Sequence, residues 1–145
     1  MLSVQDVAKY FLAQCEIEAG DTISNLKLQK LCYYAQGFHL AFYDKPLFKE
    51  PIEAWPHGPV IRSLYTKYKT HGSGAIPLPT GVDFSIFDRK TRQLLDEVYK
   101  VYGQFSAWKL RNMTHEEPPW ANAIKSNNAI SRDDMKIYFK TLIKK

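Results

Sequence analysis

The sequence predicts a mainly α fold, a single compact helical domain over 1–145 built around one buried helix at about 25–43. Three observations lead there. The stretch Asn25–Tyr43, NLKLQKLCYYAQGFHLAFY, is apolar almost all the way round, and a helix with no polar face belongs in the middle of a fold. The segments before and after it repeat apolar residues at helical spacing, each opened by a capping side chain at Ser3, Asp88, Ser106 or Ser131. Finally, 145 residues with 45% hydrophobic and 24% charged usage match an ordinary globular domain, large enough for one core.

Taken in order, the first helix is expected over 3–15, with Val4, Val7, Ala8, Phe11 and Leu12 on its inner face. Residues 16–22, with Gly20 and Asp21, break the chain, and Ser24 caps the central helix. Within that helix Lys27 and Lys30 sit in the first turns, where their stems are expected to carry the charges out to solvent. Gly37 costs about 1 kcal/mol against alanine, so a close helix crossing is expected there. A small hairpin or short extended strands are expected near 47–54, and another extended piece near 82–86. Pro59 suits the first position of a third helix running to Tyr68. A long irregular stretch, 70–87, precedes a helix capped by Asp88 and stopped at Gly103. A helix from Ala107 to about Met113 and a short one to Lys125 follow. A C-terminal amphipathic helix, about 131–144, turns Met135, Tyr138, Phe139 and Leu142 inward and Lys136, Lys140 and Lys144 outward.

Composition and motifs exclude much. The net charge of +5 comes from basic groups mixed with acids, which describes a solvated surface better than a nucleic-acid stripe. No apolar run spans a bilayer, and the opening stretch carries Asp6, Lys9 and Glu16 in place of a signal-peptide core. A soluble, cytoplasmic protein is expected. Cys15 and Cys32 make neither a CxxC pair nor a disulfide framework, and Cys32 lies in the apolar stripe where burial leaves a thiol inert. His39, His57, His71 and His115 form no HxH, HxxxH or HExxH pattern, so no metal site is expected. No phosphate cradle or GxSxG elbow occurs, and neither a cofactor nor catalysis is expected.

Two aromatic–proline corners are the sharpest features: Trp55, Pro56, His57, Gly58 and Pro59, and Thr114, His115, Glu116, Pro118, Pro119 and Trp120. Rigid turns with Trp and His lose little entropy on binding and make good anchors for a partner. Both tryptophans are expected to plug loops onto the core, leaving the histidines, Glu116 and Glu117 accessible.

These corners, with LKLQKLCYYAQGFHLAF, PLFKEPIEAWPHGPVIRSLY and YGQFSAWKL, resemble in order the signatures of the Panacea-domain antitoxin family (GepA-like or SocA-like), over about 3–123. At Arg62 and Phe38 the chain departs from the family's commoner proline and tryptophan. The resemblance implies an antitoxin of a bacterial, phage or prophage toxin–antitoxin system. Such a protein neutralises a cognate toxin encoded by a neighbouring gene through direct protein–protein binding. It also implies an alternative, an adaptor that delivers the toxin to a cellular protease. A second alternative, read from the residues, is an enzyme or small-ligand binder using His57 and His115. Motif residues carried over are Lys30, Leu31, Tyr34, Trp55, His57, Gly58, Pro59, Tyr65, Thr114, His115 and Trp120, with Glu116 beside them as a partner-binding candidate.

Overall fold

Helix α2 (Asn25–Tyr43) is the axis of the structure, with thirteen of its nineteen residues buried, so neighbours close over it on every side. The computed structural model describes residues 1–15, 20–126 and 128–143. Around α2 stand α1 (Val4–Gln14), α3 (Arg62–Tyr68), α4 (Arg89–Tyr102), α5 (Ala107–His115), α6 (Pro118–Ile124) and α7 (Arg132–Leu142), with a hairpin of β1 (Glu53–Trp55) and β2 (Gly58–Val60). Helices α1, α3, α4, α5 and α7 and strand β2 all touch α2. The mainly helical expectation therefore holds. Part of the predicted break at 16–22, and Lys144 at the end of the last helix, lie outside the described residues.

The caps act as the sequence predicts. The side chains of Ser3, Ser24, Asp88, Ser106 and Ser131 each accept from the backbone N–H three residues on, and Asp6 completes a capping box with Ser3. Gly37 marks a close crossing, because a Cβ there would stand 2.2 Å from the ring of Phe139 on α7. Phe38 also packs edge-on to Phe139 at 4.8 Å.

Three local expectations need correction. Extended chain does occur near 47–54, with Phe48 bridged to Leu2 and a strand starting at Glu53, but Leu47 and Phe48 do not pair with 52–54. Buried Gln36 clips them to α2 instead, accepting from the Leu47 N–H at 2.7 Å and donating to the Phe48 carbonyl at 2.9 Å. The hairpin lies further on, pairing Glu53 with Val60, Ala54 with Pro59 and Trp55 with Gly58. Pro59 is thus a strand residue and not the start of a helix. A two-stranded ribbon has only edge strands, where a proline's missing N–H costs no ladder bond. Helix α3 begins three residues later, after Ile61, whose N–H is held by Gln29 at 2.9 Å. Residues 84–86 form a 3-10 turn held by Asp83, not a strand, and among the described residues the only sheet is the β1–β2 ribbon. In the last helix Met135 and Phe139 are buried, but Leu142 is 37% exposed.

Candidate functional site

The two corners predicted from sequence meet. The turn Pro56–His57 reverses the chain, and Gly58 follows it at φ +107°, a conformation that side chains other than glycine rarely adopt. The indole N–H of Trp120 on α6 donates to the Trp55 carbonyl at 2.8 Å, tying the second corner to the first. His115 lies flat on Trp120, with ring centroids 4.0 Å apart and 8° between planes. Tyr65 meets Trp55 edge-on at 5.0 Å. Glu53 accepts from the Trp55 indole at 2.8 Å and from Arg62 at 2.9 Å, while the Arg62 guanidinium stands 5.3 Å over the Trp55 ring. Arg62 therefore clamps the hairpin.

Trp120 is half-buried and packs against the core, as expected of a plug, whereas Trp55 is half-buried without joining it, its indole N–H held by Glu53. His57, Glu116 and Tyr65 are exposed and His115 is half-buried. Gly58, Pro59 and Thr114 are buried and form the floor. A Cβ on Gly58 would come within 2.7 Å of Lys30 Cε and 2.9 Å of the Thr114 hydroxyl.

Lys30 overturns an expectation. Its side chain does not reach solvent: it is 0% exposed, under the hairpin, and its ammonium donates to the Pro59 carbonyl at 3.2 Å. The helix is covered by β2 and α5 even at this early turn, so the stem has no path to water. Burial, helped by the charge of Arg111, pushes its pKa down to about 7. His115 is shifted down as well, by burial first and then by Arg111, although the Pro56 carbonyl favours its protonated form.

Tyr34 lies apart from this surface. Its ring stacks on Tyr102 at 3.9 Å, and its hydroxyl donates to Glu117 at 2.7 Å while Tyr33 donates to the other carboxylate oxygen at 2.9 Å. Glu117, expected to be accessible, is 6% exposed; burial pushes its pKa up to about 7 despite these donors. The tyrosines of α2 needed an acceptor inside the core, and the residue at the start of α6 supplies it.

Sequence reasoning missed two surface residues. Trp108 on α5 is 62% exposed, and the Arg111 guanidinium sits 4.5 Å from its ring. The helical phase carried the signal: Leu110 and Thr114 point inward, which turns Trp108 to the opposite side. Elsewhere, α2, α4 and the end of α7 enclose an apolar groove of about 640 Å³, lined by residues including Phe38, Phe42, Leu94, Val98, Val101 and Leu142.

The fold and this end of it define a small, mainly helical domain that displays an aromatic and cationic surface on a pinned hairpin. Among the described residues no group of three or more metal-ligating side chains converges, and no helix is long and apolar enough to cross a membrane. The family described as "Antitoxin SocA-like, Panacea domain" matches residues 28–121. The chain belongs to that family. It is 30% identical over 109 residues to Antitoxin SocA of Caulobacter vibrioides (strain NA1000 / CB15N), covering 68% of this chain and 58% of that protein. The chain thus spans 58% of the length of this curated relative. No solved structure matches significantly.

Proposed function

We propose that this protein is an antitoxin that neutralises a toxin encoded by a neighbouring gene, by binding it directly through the surface made by the hairpin and α5. Family membership supports the antitoxin role. The observation that carries the location is the convergence of two sequence-distant corners. Trp55, His57, Tyr65, His115 and Trp120 share one end of the molecule, joined by the 2.8 Å bond from Trp120 to Trp55. Trp, Tyr and Arg are the residue types that dominate binding hot spots, and a pinned hairpin presents them at low entropic cost. Lys30, Gly58, Pro59 and Thr114 hold the surface from beneath, and Glu116 lies exposed at its edge.

Co-expression with the product of the adjacent reading frame tests this reading. The neighbour alone should arrest growth, the pair should not, and the pair should copurify as a stoichiometric complex. Rescue that requires a cellular protease, with no stable complex, would replace direct neutralisation with delivery for degradation.

A further inference from the structure

We infer that the cationic cluster beside the hairpin turn is a seat for a carboxylate presented by the protein partner. This inference rests on the partner-binding reading above and names the chemistry of what docks.

The cluster holds more hydrogen-bond donors than it can satisfy. Lys30 is wholly buried, with the Pro59 carbonyl as its hydrogen-bond acceptor. Arg111 spends one terminal nitrogen on Asn112 at 2.9 Å, but its Nε is buried with no acceptor. His115 already has the Pro56 carbonyl as a neighbour that favours its protonated form, and its Nε2 is buried with no further hydrogen bond. Buried cations and donors are ordinarily paired, because leaving them unpaired forfeits their hydration without return. Glu116 next to His115 is exposed to solvent, and the two partly or fully buried acids are committed elsewhere. Glu53 is held by Trp55 and Arg62, and Glu117 by Tyr33 and Tyr34. The ion pairs among the described residues are Arg62–Glu53 and Lys136–Asp44, and neither belongs to the cluster. What is missing is an anion.

A carboxylate fits better than a nucleic-acid backbone. The cluster is compact and flanked by Trp108 and Trp120, whereas a phosphate backbone calls for a basic track. Trp and Arg around a desolvated polar contact are the ordinary make-up of a protein interface. On the solvent side the ring over the Arg111 guanidinium is Trp108, which is 62% exposed and free to turn aside. An incoming carboxylate would then accept from the Arg111 Nε edge and from His115, above the Lys30 ammonium, through charge-assisted bonds.

The test uses sodium acetate as the probe, titrated against sodium chloride at equal ionic strength. The indole N–H signals of Trp108 and Trp120 and the Arg111 Nε–H signal report on the seat by NMR. The wild type should show saturable shifts, and His115→Gln should weaken the apparent affinity about tenfold, the scale of one charge-assisted bond. Arg111→Gln should abolish the saturable shift of the Trp120 signal. Both positions are half-buried at the surface, so these variants should fold; Lys30→Met is a third, used if its circular dichroism matches wild type. Shifts that do not saturate, or that persist in Arg111→Gln, overturn the inference. The partner complex is measured alongside by calorimetry. A complex equally tight in Arg111→Gln and His115→Gln overturns the carboxylate seat and leaves the antitoxin reading standing. A wild type that binds acetate but forms no complex overturns the antitoxin reading, and with it the assignment of the carboxylate to a protein.

Discussion

At the scale of single residues, two buried ionisable groups set how stability responds to pH, in opposite senses. Folded Lys30 gives up its proton near pH 7, whereas the unfolded side chain keeps it to about 10.5. Between those values the unfolded state binds more protons, so stability rises with pH. Folded Glu117 keeps its proton up to about 7, whereas the unfolded carboxyl loses it near 4.5. There the folded state holds more protons, and stability falls as pH rises. Together they pull stability down near neutrality, while His39 and His115, whose pKa values burial lowers, act in the opposite sense on the acid side. Urea denaturation from pH 5 to pH 9 should show both limbs, each amounting to at most about 3 kcal/mol. Glu117→Gln should flatten the acid limb and Lys30→Met the alkaline one, each read as a difference from wild type. Variant profiles that run parallel to the wild type's would refute the account. Neither group was legible as buried from sequence. Lys30 stands in a helix's second turn and Glu117 beside two prolines, positions that usually reach water, and only the closing of distant elements over them removes it.

At the scale of elements, glycines and caps decide how closely pieces approach. Gly37→Ala puts a methyl group 2.2 Å from the Phe139 ring, so α7 must move off α2. Overpacking should outweigh the gain in helix propensity and cost roughly 2–4 kcal/mol, measurable as a lower denaturation midpoint with an unchanged slope. Gly58→Ala should cost a similar roughly 2–4 kcal/mol for a different reason, since φ +107° strains any Cβ and that atom would also strike Lys30 and Thr114. The helices themselves were readable because their signals are local: a serine or aspartate cap and a stripe of apolar residues three or four apart lie within one segment. Gly37 as a close crossing was readable for the same reason. The hairpin's register was not. Proline at 59 satisfies the rule for a helix start as well as the rule for an edge strand, and the choice was made by Gln29 and Lys30, which grip the Ile61 N–H and the Pro59 carbonyl from a helix thirty residues earlier.

At the scale of the whole molecule, the candidate surface was half legible. The corners at Trp55 and Trp120 stood out by composition, but their union depends on α5 and α6 folding back across the hairpin. Trp108 was overlooked because one tryptophan in a helix reads as core until its phase is compared with Leu110 and Thr114. That phase now supplies a decisive comparison. Trp108 is 62% exposed and Tyr65 is 37% exposed, so truncating them should change thermal stability little, within about 1 kcal/mol for Trp108→Ala. If the hairpin–α5 surface receives the toxin, Trp108→Ala and Tyr65→Ala should each weaken the complex by about 2 kcal/mol or more, the hot-spot scale, and reduce rescue of growth in proportion. Phe42→Ala supplies the contrast: it is 54% exposed in the apolar groove between α2, α4 and α7. It should leave toxin binding unchanged. A reversed result, with Phe42→Ala abolishing binding and the Trp108 and Tyr65 variants binding normally, would move the docking face to that groove while keeping the fold and the family as they stand.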